Sequence, residues 1–287
     1  MLEKGTVIND MLIETPKRFE TACLAMSQII ENVASNQYGT QSIDIMCLGK
    51  YLRKSEEKLK SEELIEEELK QGIQIIKYQL NTLMAIHGQL SYVKIYINLE
   101  QDDSYLEENI KIIKEFLTQY MQGMKNIKKE YEHQDYLRFV YILKKQTDNN
   151  ENNLFKKYNS ITEYAKKCKE QGCPISFITK KESLQPGTFS QGKVSINLAQ
   201  IAIISEENKK IFWDLLDQRL EICYEALMCR HYALKGTLSN ISPIHWQHGA
   251  IARLEEGEYI NDLLYNENST LYRNGRYEKN NENRWKI

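Results

Sequence analysis

The sequence predicts an α/β fold, and two observations carry that expectation. Short apolar, β-branched runs lie near 6–13, 90–97, 137–143, 173–178, 193–198 and 240–246, and between them apolar residues return every three or four positions over long stretches. The alternation by itself leaves an open sheet and a closed barrel undecided. A chain of 287 residues buries about three quarters of its extended surface, enough for a substantial core. Its 41% hydrophobic and 27% charged residues are globular proportions, and 38 basic against 40 acidic side chains leave a net charge of −2. That balance gives no electrostatic reason to expect nucleic acid or an anionic membrane as a partner. No apolar run approaches the ~20 residues of a membrane helix. Met1-Leu2-Glu3-Lys4-Gly5 lacks the pattern of a secretory signal, and the expected location is cytoplasmic.

Taken in order, Thr6-Val7-Ile8 and Met11-Leu12-Ile13 read as short strands or a turn, stopped by Pro16. Pro16 starts a helix from Arg18 to about Ser35, with Ala22, Met26, Ile29, Ile30 and Val33 on one face and Asn36-Gln37-Tyr38-Gly39 as its break. Residues 55–70 interleave glutamates and lysines as a solvated helix does, and Ile73, Ile76, Leu80 and Leu83 carry the period on toward Gly88. Leu90–Ile97 alternates as a strand, Tyr105–Met121 returns to helical spacing, and Leu137–Leu143 is again strand-like, followed by a polar linker from Gln146 to Asn153. Gly172-Cys173-Pro174 opens a loop, Gln185-Pro186-Gly187-Thr188-Phe189-Ser190-Gln191-Gly192 turns it, and Val194-Ser195-Ile196-Asn197-Leu198 alternates like a strand entering a sheet. From Glu206 to Lys235 a helix of roughly 45 Å is expected. Ile211, Phe212, Leu215, Leu216, Leu220, Cys223, Ala226 and Leu227 are its expected buried face, and Gly236 ends it.

Chemistry-bearing residues are sparse. Cys23, Cys47, Cys168, Cys173, Cys223 and Cys229 show neither a C-x-x-C step nor a zinc spacing, so free thiols in a reducing compartment are the expectation. His245 and His248, three apart, invite a metal reading, but no acidic or thiol side chains cluster beside them in sequence and no metal is assigned. A cysteine on a loop tied down by a strand is one way to place a reactive sulfur, and equally an ordinary turn.

Longer patterns are more specific. Ile13-Glu14-Thr15-Pro16-Lys17, the run from Ser27 to Gly39, Tyr78-Gln79-Leu80-Asn81-Thr82-Leu83 with His87-Gly88-Gln89, and the Gly172-Cys173 step with Ser195-Ile196-Asn197-Leu198 resemble the anaerobic (class III) ribonucleoside-triphosphate reductases, a family of glycyl-radical enzymes. Phe212–Leu220, Glu225-Ala226-Leu227-Met228 and Ser242–Ala250 extend the resemblance, which spans Leu12 to about Leu271. It implies a partial or shortened version of the ten-stranded glycyl-radical α/β barrel with long helices outside. Residues 1–271 would form the partial catalytic barrel, with the 172–192 loop inside it, and 272–287 a polar tail. Cys173 would be the thiyl position, and Gly187, Thr188, Phe189, Ser190 and Asn197 would line the substrate, a ribonucleoside triphosphate reduced to its 2′-deoxy form. The resemblance also implies a homodimer, a radical S-adenosylmethionine iron–sulfur activase that installs a glycyl radical, formate as reductant, and no cofactor held by this chain itself.

The sequence departs from the family in several places. Pro174 stands where the family carries Arg, and Ala199-Gln200 where it carries Pro-Arg. The interval from Lys144 to Gln171 is compressed. Gly275 lies near Arg273 without the order and flanks of the family's radical loop, and the zinc-binding C-x-x-C pair, the second catalytic cysteine and the ATP-binding module are not found. These departures support a second reading, a non-catalytic relative acting as a nucleotide-binding or assembly partner.

Overall fold

The structure, a computed structural model, describes residues 1–36, 40–99, 103–132, 136–143, 153–179 and 194–260. It comprises two compact units, Met1–Leu184 and Gln185–Ile287. In the first, β1 (Thr6–Ile8) and β2 (Met11–Ile13) form an antiparallel hairpin whose turn residues Asn9 and Asp10 both have positive φ, the geometry that matches strand twist in two-residue hairpins. Then follow α1 (Phe19–Asn36), β3 (Gln41–Asp44), α2 (Gly49–Leu59), α3 (Glu62–Thr82), β4 (Val93–Ile97), α4 (Leu106–Gln122), a small hairpin of β5 (Met124–Lys125) and β6 (Tyr131–Glu132), β7 (Leu137–Ile142), α5 (Asn153–Glu170) and β8 (Ile175–Ile178).

Strands β3, β4, β7 and β8 make one parallel sheet in chain order. Parallel neighbours need long crossovers, and the helices between these strands supply them. Ile43, Ile95, Phe139 and Ile175 share one row across the sheet. On that side Val93, Ile97, Leu137 and Tyr141 pack with Ile73 and Ile76 of α3, Ile112 and Leu117 of α4, and Ile161 and Ala165 of α5. Phe139 meets Phe116 and Tyr120 edge-on, with ring centroids 5.5 and 5.2 Å apart, an arrangement that suits the ring quadrupoles. The opposite side carries Ser42, Lys94 and Arg138 in one row and Asp44, Tyr96, Val140 and Ser176 in another. There Ser42, Asp44, Lys94, Arg138 and Ser176 are exposed. One face is thus a helix-covered core and the other is largely open.

A buried polar junction ties α1, α2 and α3 together. Arg18 donates to both oxygens of Glu68 at 3.3 and 2.5 Å, Ser55 Oγ donates to the same carboxylate at 2.8 Å, and the Phe19 N–H donates to Ser55 Oγ at 2.9 Å. Every oxygen and hydroxyl there has a partner, as burial demands.

The second unit contains α6 (Leu198–Ile204), α7 (Lys209–Lys235), a 3₁₀ turn (Ser239–Ile241) and α8 (Pro243–Trp246). Four expectations are corrected. Residues 194–197 form no strand: the Asn197 side chain accepts from the Gln200 N–H at 3.0 Å and caps α6, so the chain turns into a helix. Residues 240–246 are a 3₁₀ turn followed by a helix, with Pro243 at a first-turn position where its missing N–H costs nothing. Helix α7 exists nearly as expected, but none of its residues is buried. The single charged helix expected around 55–83 is two helices, because Lys60 turns left-handed at φ 54° and Ser61 is extended.

Candidate active site around Cys173

Cys173 is placed by the end of α5. Gly172 adopts φ 102°, a region that favours glycine. Its N–H donates to Lys169 O and the Cys173 N–H to Cys168 O, both at 3.0 Å. This is the Schellman pattern, in which the residue two beyond the helix cap packs back on the helix's last full turn. Cys173 therefore lies against Cys168. Pro174 removes one donor, but its carbonyl accepts from the Phe139 N–H at 3.0 Å and so starts the β7–β8 ladder.

The Cys173 side chain belongs to the helix-covered core, on the same side as Ile175 and Phe139, and is 4% exposed. Burial, and then proximity to Cys168, pushes its thiol up to about 12. At neutral pH it is a neutral S–H, suited to giving and taking a hydrogen atom and unsuited to ionic nucleophilic attack. Burial also raises the Cys168 thiol, opposed by a hydrogen bond with Tyr164, whose hydroxyl lies 2.7 Å from Thr118 Oγ1. Cys168 was not legible as part of this cluster from cysteine counting. Its signal was a five-residue spacing with a glycine just before the second cysteine.

Gly187, Thr188, Phe189 and Ser190 lie outside the described residues, and Asn197 is the α6 cap in the second unit. His245 is buried there, its Nδ1 2.8 Å from Ser242 Oγ, and burial lowers its pKa. Among the described residues no three His, Cys, Asp or Glu side chains gather as a metal site. No helix among them is long and apolar enough to cross a membrane. Away from the sheet, a groove of about 1020 Å³ runs between α3, α4 and the β5–β6 hairpin, past Lys70, Lys77, Tyr78, Lys125 and Tyr131.

A family model described as anaerobic ribonucleoside-triphosphate reductase matches residues 1–281. The chain belongs to this family. An anaerobic ribonucleoside-triphosphate reductase of Enterobacteria phage T4 is 27% identical over 311 residues, covering 94% of this chain and 51% of the phage protein. One from Haemophilus influenzae is 27% identical over 94% of this chain and 43% of its own length. The chain thus spans about half the length of these relatives. Among solved structures, the anaerobic ribonucleotide reductase from Thermotoga maritima in complex with dATP and CTP matches with a TM-score of 0.60 at 12% identity, over 85% of this chain and 45% of that one. The same enzyme with citrate in the active site matches at 0.55 and 13%, over 83% and 47%. At such identities the likeness establishes the fold, and it agrees with the expected partial reductase barrel: parallel strands in chain order with long helices on one side. By its name the family is one of oxidoreductases acting on ribonucleoside triphosphates.

Proposed function

We propose that this chain supplies the thiyl-bearing part of an anaerobic ribonucleoside-triphosphate reductase. The observation that carries the reading is the family match across residues 1–281, together with the resemblance of the Gly172-Cys173 step to the family's radical-cysteine step. A glycyl radical, installed by a radical S-adenosylmethionine iron–sulfur activase, supplies the initial one-electron oxidising equivalent. Cys173 gives up its S–H hydrogen atom, and its sulfur then takes the 3′ hydrogen of a ribonucleoside triphosphate. The 2′ hydroxyl leaves as water, and formate supplies two electrons and ends as carbon dioxide. The net change is ribonucleotide, formate and a proton to deoxynucleotide, carbon dioxide and water. A neutral thiol suits this role, since the S–H bond exchanges hydrogen atoms with carbon and a serine O–H does not.

In this reading residues 1–271 form the partial barrel, with the 172–192 loop inside it. Gly187, Thr188, Phe189, Ser190 and Asn197 line the nucleotide, 272–287 is a polar tail, and the protein works in the cytoplasm as a homodimer. The test is anaerobic incubation with activase, formate, nucleoside triphosphate and a radical-bearing glycine loop, in cis or in trans. Deoxynucleotide is expected from the native chain and none from Cys173→Ala or Cys173→Ser. Equal yields from all three would overturn the reading.

One observation favours a second reading, a non-catalytic nucleotide-binding or assembly partner. Cys173 faces the helix-covered core and not the open side of the sheet. Nucleotide binding without product under the same conditions would select this alternative.

A further inference from the structure

Lys94 and Arg138 are directly paired in the β4–β7 ladder and project from the open face of the sheet. Neighbouring strands lie about 4.8 Å apart, and like charges directly opposite one another destabilise a sheet. Neither side chain has a carboxylate within ion-pair distance among the described residues. Both are exposed. Two adjacent cations on that face, with no ion-pair partner among the described residues, are an unusual juxtaposition for a strand pair. Around them stand Ser42 in the same row, Ser176 and the carboxylate of Asp44 one row on, and the half-buried ring of Tyr96. These are two hydroxyl donors, an aromatic surface and one anion set a row away from the cations. Arg presents a planar fork of donors and Lys a point charge, the pair of side chains most used to hold phosphate oxygens.

We propose that Lys94 and Arg138 form a polyphosphate-binding site on the open face of the sheet, which takes the phosphate chain of a nucleoside triphosphate. The site rests on the nucleotide reading above and names residues that hold the ligand in the described part of the chain. Tyr96 flanks the phosphates, and Ser42 and Ser176 donate to their outer oxygens.

Calorimetric titration of the full chain at low ionic strength with tripolyphosphate, CTP and cytidine tests this. Tripolyphosphate and CTP are expected to bind, and cytidine not. Lys94→Gln and Arg138→Gln each weaken binding by about tenfold or more, the worth of a charged hydrogen bond, and Arg138→Lys weakens it less. Absence of binding by both polyphosphates, equal affinities in all variants, or cytidine binding as tightly as CTP would each overturn the site. Thermal melting of the ligand-free variants supplies a second readout. Lys94→Gln should leave the melting temperature unchanged or raise it, because it removes a like-charge neighbour. A fall of several degrees would mean the lysine is a structural ion-pair partner, and would also overturn the site. Polyphosphate binding without turnover counts against the Cys173 reading alone. Turnover with unchanged affinity in both glutamine variants counts against this site alone.

Discussion

Burial sets the reactivity of Cys173. With the thiol pushed up to about 12, only about one molecule in 10⁴ is a thiolate at pH 8. Iodoacetamide on the native protein should therefore label the exposed Cys229 long before Cys173, with peptide mass mapping as the readout. Equal labelling would contradict the packing described for the end of α5. At Glu68, burial raises the carboxyl pKa, but hydrogen bonds from Arg18, Ser55 and the Glu20 N–H outweigh it, and the net shift is downward from 4.5. A depressed carboxylate contributes stability that is present above its unfolded pKa and lost as pH falls through the folded one. Glu68→Gln, which leaves the half-exposed Arg18 without its ionic partner, should cost about 1–2 kcal/mol at pH 7. The gap between wild type and variant should close below about pH 4. Melting curves across pH 3–7 check both the size and the sign.

At the scale of elements, the α1–α3 contact depends on Gly72, where an added Cβ would fall 2.6 Å from Phe19 Cε1. Gly72→Ala improves intrinsic helix preference by up to about 1 kcal/mol, yet overpacking against a fully buried ring should reverse the sign and destabilise by about 1–3 kcal/mol, as chemical denaturation would measure. The sequence shows α1, α4 and β7 plainly, because their apolar residues repeat at 3.6 or run on in a short buried strand. It does not show β3: Gln41-Ser42-Ile43-Asp44 has one apolar residue in four, and its place in the sheet comes from pairing with β4. The Val194–Leu198 alternation misled for a related reason, since period two in five residues cannot outweigh an asparagine able to cap the helix that follows. In α7 the apolar residues lie on every side, so periodicity establishes the helix but not what covers it. Of the candidate site, the Gly172-Cys173 step was legible from the resemblance. Cys168 and the Lys94–Arg138 pair became visible only when a helix cap and a strand register brought distant positions together.

At the scale of the molecule, the four parallel strands of the first unit carry helices on one side and, among the described residues, present a largely exposed second face; the chain spans about half the length of its relatives. On the proposed reading the nucleotide would meet the open face, whereas Cys173 lies on the helix-covered side of the sheet. The Cys173 side, now packed in the core, must expose its thiol for chemistry to occur. Hydrogen exchange tests that requirement: the amides of Cys173 and Ile175 should exchange faster when CTP and the activated assembly are present than in the resting chain. Unchanged protection would favour the binding-partner reading.

The most direct test of the central claim is the rate of deoxynucleotide formation from a ribonucleoside triphosphate carrying deuterium at the 3′ carbon, in single turnover with the activated assembly. Hydrogen abstraction by Cys173 predicts slower product formation than with the protium substrate, and no product from Cys173→Ala. Product forming from Cys173→Ala, or at the same rate from both isotopologues in single turnover, would contradict it.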